Sequence, residues 1–288
     1  MWIADNWTDY EVIETSDGEK LERWGNVVLV RPDPQIIWET KKQSPKWNSF
    51  DGRYLRSKAG GGQWINNNMP ETWEISYRDF RFRLKPFGFK HTGVFPEQAA
   101  NWDYIQEAIK GSTTKPNILN LFAYTGGATI AAAKAGASVC HVDAAKGMVA
   151  WAKENAEISG LSSAPIRYIV DDCMKFVERE IRRGKTYDAL IMDPPSYGRG
   201  PSGEIWKLED NLYDLVSVCA RVLTKKPLFF ILNSYTTGLS AGVSAYILHE
   251  VLVSKFGGTV TAGELGLPVK NGYVLPCGTT ARWQAAKG

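Results

Sequence analysis

The stretch Leu119-Asn120-Leu121-Phe122-Ala123-Tyr124-Thr125-Gly126-Gly127, continued through Asp143 to Asn155, decides how this chain is read. An apolar run ends in a turn of small residues, a helical pattern follows, and a second apolar run, Ser138–Val142, ends in an acid. The alternation continues outward. Strands are expected at Ile118–Phe122, Ser138–Val142, Ile166–Val170, Ala189–Met192 and Leu228–Leu232, and helices at Gly127–Ala135, Lys146–Ser159, Met174–Arg183, Leu208–Val222 and Ala241–Lys255. Strand-helix alternation of this kind requires a parallel sheet with helices on both faces. Two more strand candidates, Thr259–Leu265 and Gly272–Pro276, close the chain. The expected fold is α/β, doubly wound.

The 288 residues suffice for one large domain or for a large and a small one. Eight of the eleven tryptophans precede residue 103, which marks a composition shift and places a small β-rich, Trp-rich domain at 1–90, before the α/β domain at 91–288. Its strand signals are Asn26–Arg31, Gln35–Trp38, Thr72–Tyr77 and Phe80–Lys85, the last two forming a hairpin around Arg78-Asp79. Ala59-Gly60-Gly61-Gly62 and Asn66-Asn67-Asn68 read as loop. Hydrophobic content of 44% and charged content of 23% are those of an ordinary globular protein. Apolar runs such as Leu228–Leu232 fall far short of the roughly 20 residues that span a bilayer. Met1-Trp2-Ile3-Ala4-Asp5 lacks the basic cap and apolar core of a signal peptide. The four cysteines, Cys140, Cys173, Cys219 and Cys277, form no CxxC pair, so neither a metal site nor a disulfide framework is expected. The expected setting is the reducing cytoplasm.

Net charge is only +3, yet it is unevenly spread. Six cations (Lys41, Lys42, Lys46, Arg53, Arg56, Lys58) face one acid, Asp51, in one segment, and five (Arg78, Arg81, Arg83, Lys85, Lys90) face Asp79 in another. Aromatics are interleaved: Trp38, Trp47, Phe50, Tyr54 and Trp64, then Phe80, Phe82, Phe87 and Phe89. Cations hold phosphates and ring faces stack on bases, so this mixture suits nucleic acid. It equally describes a half-buried β-domain with rings inside and cations outside.

In a doubly wound sheet, ligands lie above the carboxyl ends of the strands. Tyr124, Thr125, Gly126 and Gly127 form the first such turn, where glycine lets the backbone approach a ligand and opens a helix with unbonded N–H groups. Asp143, seventeen residues after Gly126, is placed to accept the hydroxyls of a ribose. Asp171 and Asp172 end the third strand, beside the expected place of a base, with Cys173 opening the helix that follows. A dinucleotide-binding fold needs Gly-x-Gly-x-x-Gly to admit a pyrophosphate. This chain has one Gly-Gly step, then Ala128, Thr129 and Ile130, and so suits a nucleoside without a pyrophosphate.

The fourth strand runs into Asp193-Pro194-Pro195-Ser196-Tyr197. Two prolines fix φ and remove two N–H donors, leaving carbonyls that only accept. An acid beside them makes an acceptor array for an exocyclic amine, with Tyr197 able to stack on the flat group carrying it. A rigid strand-ending turn, capped by Asp193, is the structural alternative.

Asn120–Gly127, Asp143, Asn155, Asp171–Asp172 and Asp193–Ser196 together resemble the class I S-adenosylmethionine-dependent methyltransferases. Within these, the chain is similar to bacterial large-subunit ribosomal RNA methyltransferases with a "YTGG" turn and a "DPP" corner. Thr92-Gly93-Val94-Phe95-Pro96-Glu97-Gln98 resembles that branch's "TGFFLDQR" segment, with Ala99 in place of the arginine. The resemblance implies a Rossmann-like methyltransferase sheet and S-adenosyl-L-methionine as cofactor. It implies cofactor contacts from Phe95, Gln98, Tyr124, Thr125, Gly126, Gly127, Asp143, Ala144, Asp171, Asp172, Cys173 and Asp193. Asp193, Pro194, Pro195, Ser196 and Tyr197 are the expected catalytic set, and ribosomal RNA the expected partner. Attack at carbon-5 of a pyrimidine needs a thiolate. Neither Asp193–Gly200 nor Asn233–Gly238 contains a cysteine, so a base nitrogen is the favoured target. Arg199, Trp206 and Lys207 of the following loop are expected beside the flanking nucleotides. A small-molecule or protein acceptor, or a cofactor- or nucleotide-binding module without turnover, are the alternatives.

Overall fold

A computed structural model describes residues 1–57, 61–112, 114–199, 205–236 and 238–286 of the chain. Lys58, Ala59, Gly60, Gly200, Thr237 and the Arg199 side chain, named above, lie outside the described residues. The chain forms two compact units. One comprises Met1, Asn101–Leu265 and Gly278–Gly288; the other comprises Trp2–Ala100 and Gly266–Cys277.

The first unit is the α/β one. Its strands are β1 (Asn117–Leu121), β2 (Ser138–Asp143), β3 (Ile166–Val170), β4 (Ala189–Met192), β5 (Phe229–Ser234), β6 (Thr259–Pro268) and β7 (Val274–Gln284), and they lie in the order β3-β2-β1-β4-β5-β7-β6. The pairs β1–β2, β2–β3, β1–β4 and β4–β5 are parallel, and β5–β7 is antiparallel. The order reverses at β1, so the crevice for a ligand opens beyond its carboxyl end. Helices α1 (Ala99–Lys110), α2 (Gly127–Lys134), α3 (Lys146–Ile158), α4 (Cys173–Arg182), α5 (Leu208–Cys219) and α6 (Ala241–Leu248) accompany the strands. The expected Ala241–Lys255 helix is interrupted by a π-turn at His249–Val253, and α1 was not foreseen at all.

Local chemistry explains these elements. The central parallel strands are mostly apolar because both faces are covered, and Phe229–Ser234 is buried at every position. In α4, Asp172 caps the first turn by accepting Lys175 N–H at 2.9 Å. Its buried face, Cys173, Phe176, Val177 and Glu180, recurs at helical spacing. Leu119, Leu121, Leu190 and Met192 meet Phe176, Val177, Leu212 and Leu215 in one core cluster.

The other unit contains a five-stranded sheet: Tyr10–Ser16, Glu19–Trp24, Val27–Pro32, Gly52–Arg56 and Gly62–Asn66, neighbours in that order. Beside it stands the expected hairpin Trp73–Tyr77/Phe80–Leu84, with Arg78 at φ +53° in its turn. Gln35–Trp38, expected as a strand, is not one. The Ile36 N–H bonds the Asp33 carbonyl, and the Ile36 and Trp38 carbonyls accept from Gly18 and Asp17 at a hairpin turn. Pro32 and Pro34 withhold the donors a ladder would need there.

Four of the rings counted above as candidates for base stacking belong to this unit's interior. Phe80 and Phe82 are fully buried, and Trp47 and Tyr54 nearly so. In the Phe-Arg-Phe-Arg run the rings turn inward and the arginines outward, and Arg83 pairs with Glu74 at 3.1 Å. Arg53 and Lys42 likewise pair with Glu19. Phe89 is the ring that stays open, 61% exposed. Beneath the sheet's surface Glu22 takes two hydrogen bonds from Arg31, at 2.6 and 2.9 Å, and one from the Tyr10 hydroxyl at 2.6 Å.

Candidate active site

Strand register places the two key acids. Leu121 of β1 is the partner of Val142 in β2 and of Met192 in β4. Asp143 and Asp193 are each one residue further on. They therefore stand at the same height on the two strands flanking β1, about 10 Å apart by two strand spacings.

Between them the chain leaves β1 through a strained turn. Phe122 and Tyr124 both adopt positive φ, +53° and +49°, and Gly126 follows at +90°. Side chains rarely tolerate such angles unless surrounding bonds impose them. Those bonds are present. The Tyr124 N–H donates to Asp143 Oδ2 at 2.9 Å, the Phe122 N–H to Cys173 Sγ at 3.3 Å, and Asn155 Nδ2 to the Thr125 carbonyl at 3.0 Å. The other Asp143 oxygen accepts the Ala145 N–H at 2.8 Å. Burial pushes the Asp143 carboxyl up, against the two backbone N–H groups that hold it down.

Packing fixes both glycines, and angle fixes Gly126 as well. A Cβ at Gly126 would lie 3.0 Å from the Ala152 side chain of α3, and one at Gly127 would lie 2.5 Å from the Trp102 ring of α1. Below the turn, Thr129 Oγ1 accepts from Asn120 Nδ2 and bonds His141 Nδ1, both at 2.9 Å. Burial pushes the His141 imidazole down to about 3, so it is neutral. Trp102, Asn120 and His141 had no assigned role at the sequence level. For the latter two the signal was present: a polar residue in the middle of an otherwise apolar strand.

The remaining expected residues are distributed as follows. Cys173 is buried and holds the Phe122 backbone. Asp172 caps α4, and Asp171 forms an ion pair with Arg179 while its N–H donates to the Asp143 carbonyl. Ala144 follows Asp143 at the rim. Phe95 and Gln98 flank and end the short helical turn Pro96–Gln98 of the other unit. Burial pushes the Cys140 thiol up to about 11 and raises Cys173, Cys219 and Cys277 as well, so all four are held as thiols.

At the corner after β4, the Pro195 carbonyl accepts the Trp206 indole N–H at 2.8 Å and the Ser196 carbonyl accepts the Leu208 N–H. The acceptor array is thus narrower than the two prolines imply. What remains is the Pro194 carbonyl, for which no protein donor is seen among the described residues, next to the Asp193 carboxylate. Ser196 Oγ takes the Thr236 hydroxyl at 2.7 Å, tying the corner to the loop after β5. Tyr197 opens a short ribbon, Tyr197–Arg199 against Ile205–Lys207, with its ring half exposed.

The turn, the carboxylate and the glycine cradle fit a nucleoside. Among the described residues no group of His, Cys, Asp and Glu is placed to hold a metal ion, and no helix is long and apolar enough to cross a membrane.

Comparison with known proteins agrees with this geometry. A family described as S-adenosylmethionine-dependent methyltransferase matches residues 35–212, more than half the chain. A crystal structure of an S-adenosylmethionine-dependent methyltransferase from Agrobacterium tumefaciens is 37% identical, with a TM-score of 0.91, over 98% of this chain and 93% of that one. A Shewanella oneidensis protein named ribosomal RNA large subunit methyltransferase K/L is 34% identical over 208 residues, 67% of this chain and 26% of the relative. Its Shewanella frigidimarina namesake is 30% identical over 146 residues, 50% of this chain and 20% of the relative. The aligned part thus spans about a fifth to a quarter of these curated relatives.

Proposed function

The chain belongs to the S-adenosylmethionine-dependent methyltransferase family, and we propose that it methylates RNA, at a base nitrogen of ribosomal RNA. The observation that carries this reading is the equal height of Asp143 and Asp193 on either side of β1. A nucleoside gripped at one acid brings a short sulfur-bearing arm toward the other. In this reading residues 91–288 are the methyltransferase domain, and residues 1–90 help to hold RNA.

The bound donor supplies an activated, sulfur-bound methyl group. The chain's own residues supply position. Asp143 accepts the ribose hydroxyls, and Tyr124–Gly127 backs the arm through the turn and the first N–H groups of α2. Asp171–Cys173 and Ala144 border the base. At the corner, Asp193 and the Pro194 carbonyl accept the hydrogens of the target amine, which turns its lone pair toward the methyl carbon. The bound donor would supply the methyl carbon to that lone pair, and Asp193 would take the proton the nitrogen sheds and pass it to water. Alignment is most of the catalysis. Tyr197 stacks on the target base, which leaves its own stack if paired. The thiols being held protonated supports nitrogen over carbon-5.

Purified protein should transfer labelled methyl from S-adenosylmethionine to ribosomal RNA of cells lacking it. Mass spectrometry of that RNA should show one methylated base missing. A complete set of methylated nucleosides, with no transfer in vitro, would sink the proposal. Exposed Glu209 and Asp210, in the first turn of α5, favour a second reading with a small acceptor that carries no phosphates. Binding that ignores salt would select it, because phosphate contacts weaken steeply as salt rises.

A further inference from the structure

A buried chain of amides runs from β7 to the peptide just before Asp193. Arg282 of β7 donates through Nε and Nη2 to Asn101 Oδ1, at 2.9 and 2.7 Å. Asn101, on α1, donates through Nδ2 to Asn233 Oδ1 at 2.9 Å, and Asn233 donates through Nδ2 to the Met192 carbonyl at 3.3 Å. Asn101 and Asn233 are almost fully buried and Arg282 nearly so.

The direction of this chain is forced. A guanidinium only donates, so Asn101 must present its oxygen to Arg282 and its amide N–H₂ to Asn233. Asn233 must then present its own N–H₂ to Met192. The polarity set by one buried cation therefore fixes the carbonyl on which the corner hangs. Strand pairing explains why Asn233 can reach it: Leu232 is the β-partner of Met192, and Asn233 is the next residue. The guanidinium also stacks over Tyr104 of α1, 4.6 Å from the ring centre, which holds α1 and β7 at one distance.

We infer that Asn101 and Arg282 are positioning residues for methyl transfer, setting through Asn233 the place of Asp193 and Pro194. This rests on the reading of that corner as the acceptor site. Neither residue touches the reacting atoms.

Asn101→Asp separates positioning from stability. Aspartate still accepts from Arg282, as an ion pair, but has no N–H for Asn233. The Asn233 amide must turn, which presents its oxygen to the Met192 carbonyl and releases the corner. The melting temperature should not fall, and affinity for S-adenosylhomocysteine should hold. Backbone hydrogen exchange at Ser196–Gly198 should rise, and kcat with ribosomal RNA should drop about tenfold or more at unchanged KM. Asn101→Gln, which keeps both amide groups, should recover part of kcat. Unchanged exchange at Ser196–Gly198, or raised exchange with wild-type kcat, overturns the inference. If the wild-type protein transfers no methyl group to RNA, the functional reading fails, and exchange alone still decides the relay.

Discussion

Asp143 and Asp193 stand level on opposite sides of β1, each one residue past a partner of Leu121. Their roles should separate on substitution. Asp143→Ala removes the anchor of the Tyr124 N–H and, in the proposed site, the ribose acceptor. Affinity for S-adenosylhomocysteine should fall about a hundredfold, or roughly 3 kcal/mol. Asp193→Ala should lower that affinity far less and act chiefly on kcat. Calorimetry and single-turnover transfer distinguish the two, and equal loss of binding in both variants would contradict the assignment.

Gly127 faces the Trp102 ring with no room for a methyl group. Gly127→Ala should therefore destabilise the α/β unit by about 1–3 kcal/mol and lower its melting temperature by a few degrees. Trp102→Phe in the same chain should restore part of the loss, because the smaller ring vacates the clash. Thermal melts of the three proteins test this.

Burial raises the Asp143 carboxyl above the ordinary aspartate value, so its proton is taken up earlier as pH falls. A ribose donates to the carboxylate, and the protonated acid binds it less well. Affinity for S-adenosylhomocysteine should accordingly weaken on acidification while pH is still above about 3.9, the value of a free aspartate. Titration calorimetry across that range, with Asp143→Asn as the pH-insensitive control, measures the effect.

Glu22 carries the opposite shift. Burial pushes its carboxyl up, but Arg31 and Lys20 outweigh it and hold it down to about 2. Its folded value lies below its unfolded one, so its contribution is complete above about 4.3 and fades as pH falls toward the folded value. Glu22→Gln should leave Arg31 buried without its counter-charge and cost about 3–5 kcal/mol. Denaturant unfolding at neutral pH reads that cost. The acid-induced loss of stability between those two pH values should be shallower in the variant.

With Cys140 held near 11 and the other three thiols raised too, no thiolate attack on a pyrimidine is expected. RNA carrying 5-fluoropyrimidines should form no covalent complex with the protein, and replacing Cys140, Cys219 or Cys277 by alanine should leave transfer intact. A trapped adduct on denaturing gels would move the target to carbon-5.

The α/β half was legible because its central strands are covered on both faces and so read as mostly apolar runs, such as Leu-Ile-Met before Asp193. The N-terminal sheet was harder. Glu-Lys-Leu-Glu-Arg-Trp at Glu19–Trp24 looks like a solvated segment, yet Lys20 and Glu22 are buried against Asp33 and Arg31. Charge normally marks a surface; here Glu22 finds Arg31 on the next strand and Lys20 finds Asp33 just beyond it. The rings of Phe80 and Phe82 left two readings open, since alternation with arginine fits both a stacking platform and a core face; their burial decides for the core.

By itself the sequence determined the strand-helix alternation from β1 to α6, the small-residue turn, and the acid-Pro-Pro corner, because these rest on periodicity and on neighbours along the chain. Tertiary structure alone decided why Gly127 must be glycine, which carbonyls of the corner remain open, and how Arg282 reaches Met192. Those depend on side chains as far as 181 residues apart in sequence, brought together by sheet register and helix packing. No local pattern encodes them, because each partner's identity makes physical sense only once the other is beside it.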